Sequence, residues 1–369
     1  MVNRVVPLNI KRLRNIRGFT QLEVARKSGL SRAAYINIEN GKSEPKSSTL
    51  LNIAGALEVD IQELFYQPRP VHSLRFRIGK THTKKDEDIR RYDISKFSHW
   101  LTQYEFLENE LKSKSDYKLA GIKRGNRNPG QTAEIARSVL KLDAKGPVFD
   151  ICNLLEEAGI KIYLYKSLLK KSFGMSMGEK DGGPVIAVNV SASVTIERQI
   201  FTAAHELGHL LLHKNSFQAE ILEENNREEM DADKFASYFL MPPEGFKWEW
   251  GNTSGLHWLE RVLHVKRIYK VSYRTVLKRL IDTGTADNTI YKKFAAEYKK
   301  NFAHDLKDHY EPDALEEPDA LLKTDFMAYR LNRLVREAYE KEIITMSKAA
   351  EILQLPLIKM REIADSWSF

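Results

Sequence analysis

Apolar positions in the first 66 residues recur at helical spacing and are broken at short intervals by glycine or small polar turns. The spacing predicts a helix from Leu8 to Arg17, stopped at Gly18. Thr20, with Glu23 three residues on, forms a capping box for a helix through Lys27, and Gly29 breaks it. Ser31 caps a third helix ending at Asn40-Gly41, a C-cap pair. After the turn at Pro45 to Thr49, LLNIAGALEV and IQELF supply two more helices. Residues 67–96 read as a basic connector with one alternating run, SLRFRI, and residues 97–119 as helix. GIKRGNRNPG (121–130) is a loop by its Gly, Asn and Pro content. Helices at 131–141 and 147–158 follow, then a strand in IKIYLY. GMSMGEKDGGPVIAVNV is a hairpin turning at Lys-Asp-Gly-Gly into the strand Val185 to Val190. From about residue 193 nearly everything is helical, except the doubled EPDAL unit at 311–321, read as a linker or irregular turn.

This pattern predicts a mainly α fold with a small β-sheet, an α+β domain behind a five-helix N-terminal domain. The 369-residue length fits two or three domains. Boundaries are expected at 1–67, 68–129, 130–285 and 286–369. No apolar run approaches the ~20 residues needed to span a bilayer. The start MVNRVVPLNIKRLRN lacks a signal-peptide pattern. Cys152 is the single cysteine, so no internal disulfide forms, which fits a cytoplasmic protein. It lies in the apolar run VFDICNLL and reads as a core residue. The net charge of +8 is uneven. Residues 1–66 hold ten Lys/Arg against six Asp/Glu, and residues 67–96 nine against four, so the first 96 residues carry +9 and the rest −1. A basic excess at one end suits an anionic polymer, with nucleic acid the first expectation.

Chemistry concentrates in His205-Glu206-Leu207-Gly208-His209. Ile196, Ile200, Ala203, Leu207 and Leu210 form one helical stripe, and the two histidines lie nearly opposite it. An i,i+4 pair presents both imidazoles on one face, close enough to share a metal ion. Glu206 is turned about 100° from His205, which suits a base acting on metal-bound water better than a ligand. Zinc takes nitrogen and oxygen ligands and keeps one position for water in a catalytic site, so a third protein ligand is needed. Ala232, Phe235, Ala236, Phe239 and Leu240 mark a second amphipathic helix ending at Met241-Pro242-Pro243. Glu228 and Glu229 both fall near its buried face, and periodicity does not choose between them. Spacing favours Glu229, because Asp233 one turn later can orient a ligand histidine. His213 extends the histidine stripe and reads as structural or as a support behind the ligands.

The run RQIFTAAHELGHLLLH followed by REEMDADKFASYFLMP resembles the ImmA/IrrE family of zinc metallopeptidases. The VIAVN strand and the LKRLIDTG segment fit it, so the resemblance covers about residues 130–285, with the C-terminal helices matching more loosely. It implies a small gluzincin-type fold, His205, His209 and Glu229 as zinc ligands, and Glu206 as base. It further implies limited proteolysis of a regulatory protein, typically a helix-turn-helix repressor.

The run LRNIRGFTQLEVARKSGLSRAAYINIENGK resembles the Cro/repressor-type (XRE) helix-turn-helix family. Its second helix presents its N-terminal residues to the major groove. Arg32, Ala33 and Asn37 are the base-edge candidates by position, since Arg pairs with guanine and Asn with adenine. Gln21, Arg14, Lys42 and Lys46 suit phosphate contacts, and Tyr35 and Ile38 suit the core. Ala33 and Ala34 stand where many such readers carry polar side chains, which thins base readout. The C-terminal ITMSKAAEILQLPLIKMREIADSW reads as a packing or partner-sensing segment rather than a second DNA reader. The chain is therefore expected to be a two-function regulator. Its partners are DNA, a protein substrate such as a repressor or neighbouring regulator, and a second copy of itself in a homodimer. The alternative is a non-proteolytic regulator or antitoxin that uses the peptidase fold as a sensor or partner-binding module.

Overall fold

The computed structural model describes residues 5–67, 69–76, 82–122, 125, 127–169, 172–221, 223–302, 306 and 317–367. They form two units, the first comprising Met1–Val71, Ile78–Leu107 and Ser167–Lys170, and the second the remainder.

The first unit begins with α1 (Val5–Arg17), α2 (Gln21–Lys27), α3 (Arg32–Glu39), α4 (Ser47–Leu57) and a 3-10 turn, Ile61–Leu64. The capping box is formed: Thr20 accepts from the Glu23 backbone and Glu23 from the Thr20 backbone. Ser31 caps α3. Gly18, Gly29 and Gly41 hold positive φ at the helix ends, where a side chain would be strained. Ile10, Val24, Tyr35, Ile53 and Leu57 fill the core, and Asn9 donates to the carbonyls of Leu64 and Tyr66 at 2.9 and 3.0 Å.

The strand expected in SLRFRI is β1 (Leu74–Arg75), with Arg77 and Ile78 outside the described residues. The helix expected at 97–119 is instead α5 (Lys84–Glu110), starting thirteen residues earlier in what reads as connector. Its buried face carries Arg90 and Asp93 beside Ile89 and Tyr92, so apolar periodicity fades there although the face is covered. Tyr92 hydrogen-bonds Glu63, and Asp93 accepts from the Ser167 hydroxyl at 2.6 Å.

The second unit contains α6 (Pro129–Val139), α7 (Ile151–Glu157), β2 (Lys161–Tyr165), β3 (Gly174–Met177) and β4 (Val185–Asn189). It continues with α8 (Ile196–Leu212), α9 (Asn226–Leu240), α10 (Pro243–Asn252), α11 (Trp258–Tyr269), α12 (Tyr273–Asp282) and α13 (Ile290–Phe302). It closes with α14 (Arg330–Glu340), α15 (Met346–Ile352) and α16 (Leu357–Ser366). The sheet order is β1-β3-β4-β2, with β2 parallel to β4 and the other pairs antiparallel. β4 is buried at every position, as expected of an inner strand covered on both faces. One apolar core joins the sheet to α6–α9 and α11–α13 and includes Cys152. Glu108 is buried between Lys161 (3.0 Å) and Arg330 (2.8 Å), which ties the start of α14 to this core.

Candidate metal centre and nucleic-acid interface

Thr195 caps α8, accepting from the Arg198 backbone, and the stripe Ile200, Ala203, Leu207 and Leu210 is buried. The opposite side meets α9 at close range. A Cβ on Gly208 would lie 3.0 Å from the Phe235 ring and 3.3 Å from the Ala232 backbone. Glycine there lets α9 approach until its first turn reaches the histidines.

His205 Nε2 is 3.0 Å from His209 Nε2 and 3.1 Å from Glu229 Oε2, and His209 Nε2 is 3.6 Å from Glu229 Oε1. Ligand atoms of these three residues lie within 4.8 Å of one another. Two nitrogens about 2.0–2.1 Å from a tetrahedral zinc would be separated by about 3.3 Å, so this donor set fits that ion in chemistry and spacing. Glu228 is not among these atoms; it accepts from Ser216 Oγ at 2.5 Å, and its other oxygen lies 3.4 Å from Arg75 Nη2. Asp233 Oδ1 lies 2.8 Å from His205 Nδ1, and His213 Nδ1 lies 2.8 Å from His209 Nδ1. Each imidazole therefore has its Nδ1 engaged and its Nε2 turned to the cluster.

Burial alone would lower the His205 pKa, but its hydrogen bonds to Asp233 and Glu229 outweigh that and hold it at about 9. Burial pushes His209 well below the ordinary value, so its imidazole is neutral. Burial raises the Glu229 carboxyl, yet hydrogen bonds from both histidines overcome this and keep it ionised far below the usual range. Glu206 is raised, chiefly by burial. Its Oε2 accepts from Ser176 Oγ at 2.5 Å. A Cβ on Gly174 would be 2.9 Å from Glu206 Oε1 and 2.6 Å from Thr202, so β3 rests directly on the carboxylate.

Two neighbours escaped the sequence reading. Ser176 lies on a strand with no polar pattern to single it out. Arg75 lies in the stretch read as connector, yet its side chain is 4% exposed and Nη2 is 2.6 Å from Glu229 Oε1. The described part of the doubled EPDAL unit, residues 317–321, is anchored well away from the histidines. Glu197, in the first turn of α8, accepts from the Leu321 backbone at 2.9 Å and from Lys266 at 2.7 Å. Eight residues separate Glu197 from His205, about 12 Å along a helix. Residues 311–316 lie outside the described residues.

In the first unit, Arg32, Ala33 and Asn37 are exposed along α3, and Lys42 and Lys46 are exposed after it. Tyr35 and Ile38 are buried. Arg14 departs from the expected phosphate role. Its Nε and Nη2 donate to the Glu39 carboxylate at 2.9 and 2.8 Å, and its side chain is 13% exposed. The guanidinium is spent on joining α1 to α3. Gln21 also donates to Glu39, at 3.2 Å, and remains partly exposed.

Residues 10–64 match the family model described as helix-turn-helix, and residues 155–281 match a peptidase-family model described as IrrE N-terminal-like domain. No curated protein matches the chain. A solved structure, Bacillus thuringiensis PlcR in complex with the peptide PapR7 and DNA, is 13% identical over 98% of both chains. Its TM-score is 0.17, too low to carry an argument. The chain thus carries an XRE-type helix-turn-helix domain followed by an IrrE-like peptidase domain, the composition of a DNA-binding regulator. Among the described residues no helix is long and apolar enough to cross a membrane.

Proposed function

We propose that this regulator is a zinc-dependent endopeptidase that cuts one specific regulatory protein, a helix-turn-helix repressor or a regulator encoded beside it. The observation that supports this most is the convergence of His205, His209 and Glu229 within 4.8 Å, with Glu206 beside them on the same helix. A zinc ion bound there supplies Lewis-acid polarisation of the scissile carbonyl and acidifies water. Glu206 takes the proton from the attacking water and passes it to the leaving amine. Burial, which raises its pKa, equips it to hold that proton between the two steps. Ser176 fixes the carboxylate through its 2.5 Å hydrogen bond. Asp233 and His213 hold the ligand imidazoles by their Nδ1 atoms. Exposed Arg32, Ala33 and Asn37 read bases, and Lys42, Lys46 and Gln21 contact phosphates. In cells this chemistry belongs in the cytoplasm, on a homodimer where the operator is palindromic.

Incubating the purified chain with the neighbouring regulator tests the reaction. Site-specific cleavage is expected, lost on chelation and restored by zinc. Cleavage that persists in a chelated, metal-free sample contradicts the proposal.

A further inference from the structure

β3 carries Ser176, which holds Glu206, and it would be an edge strand of the sheet but for β1. An exposed strand edge beside a peptidase centre is a binding site for an extended peptide, which adds as one more strand through main-chain hydrogen bonds. Here the chain fills that position itself. β1 pairs antiparallel with β3 in the register Leu74↔Met177 and Arg75↔Ser176, placing Arg75 opposite the serine that touches Glu206. The Gly178 backbone donates to the Ser73 carbonyl at 3.0 Å. Asp181, from the turn after β3, accepts from the backbones of His72 (2.9 Å) and Ser73 (2.8 Å) and from the Ser73 hydroxyl (3.0 Å). Leu74 and Phe76 are fully buried. Arg75 reaches Glu229 at 2.6 Å and Glu228 at 3.4 Å.

We infer that the β3 edge is the peptide-binding groove of the peptidase and that His72–Phe76 is its built-in occupant. The segment lies where a substrate strand would lie, with an arginine in the acidic pocket of Glu228 and Glu229. While it stays, an extended substrate cannot pair with β3. It follows directly on Val71, the last residue of the first unit's N-terminal stretch, so the regulator's connector doubles as the peptidase's lock. The substrate class follows from the occupant: an extended segment with a basic side chain placed as Arg75 is, flanked by apolar residues. The inference rests on the peptidase reading above for its meaning, but its test needs no turnover.

The probe is a fluorescent peptide of residues 71–76, VHSLRF, titrated into full-length protein. Asp181→Gly removes the anchor without strain, since Asp181 sits at φ 57, where glycine is at ease. Leu74→Cys with Met177→Cys locks β1 to β3 when oxidised, because directly paired strand residues are within disulfide reach. An occupied groove lowers apparent affinity by its free fraction, so the peptide should bind Asp181→Gly at least about tenfold more tightly than wild type. The oxidised double cysteine should not bind it, and reduction should restore binding. A peptide with alanine for its arginine should bind Asp181→Gly more weakly. Equal affinity for wild type, Asp181→Gly and the locked protein overturns the inference. Peptide exchange without any proteolysis would leave the groove standing and sink the reaction instead.

Discussion

At the residue scale, the two histidines of the candidate site are each fixed by a neighbour outside the His205, His209 and Glu229 cluster. His213 shows this: its Nδ1 engages His209 Nδ1 at 2.8 Å and so commits the His209 Nε2 to the cluster. Outer-shell partners of this kind are worth about 10–100-fold in metal affinity. Replacing His213 with Ala should therefore weaken zinc binding by that range in a chelator competition, and unchanged affinity would make His213 a packing residue only. A second prediction concerns Asp93, whose carboxyl burial pushes up to about 7 against a weaker opposing bond from Ser167. The folded chain then holds a proton that the unfolded chain, with a carboxyl near 3.9, gives up. Stability attributable to this group is full below pH 4 and falls as pH rises to 7. Asp93→Asn should raise Tm by about 2 °C or more at pH 8 and leave it nearly unchanged at pH 4. An equal shift at both pH values would contradict the buried-charge account.

At the element scale, helices announced by apolar periodicity and caps were legible. α2, α3, α8 and α9 lie close to where Thr20, Ser31, the Ile196–Leu210 stripe and the Ala232–Leu240 stripe put them. The hairpin β3–β4 was legible from its Lys-Asp-Gly-Gly turn. The first half of α5 was not, because Arg90 and Asp93 on its buried face look like solvent-facing charge. β1 was legible as a strand from the alternation in SLRFRI, but its pairing was not, because its partner β3 lies about a hundred residues away in sequence. The same limit hid Arg75, while Glu229 and Asp233, one turn apart on α9, both lie against His205 as their spacing suggested. Arg14, expected among the phosphate contacts, is paired with Glu39 instead, and a partner twenty-five residues away in sequence is brought to it only by the fold. Breaking a buried pair costs about 3–5 kcal/mol. Arg14→Ala should lower the stability of the helix-turn-helix by about 3 kcal/mol in denaturant titration. Lys42→Ala should leave stability intact and reduce the salt slope of DNA binding by about 1. The reverse pattern would restore Arg14 to the phosphate set.

At the scale of the whole molecule, +9 of charge in the first 96 residues precedes a domain near neutrality, so DNA attraction and peptide chemistry are assigned to different stretches of chain. On the proposed reaction, Glu206 moves the proton in a zinc-dependent cleavage. The most direct test is zinc content and cleavage of the neighbouring regulator by wild type and Asp181→Gly, each with and without Glu206→Gln. About one zinc per chain is expected in all four, as a site with three protein ligands requires. Cleavage by Asp181→Gly is expected above wild type, and none in either Gln variant. Cleavage that survives Glu206→Gln, or a wild-type chain that retains no zinc, would contradict the proposed reaction.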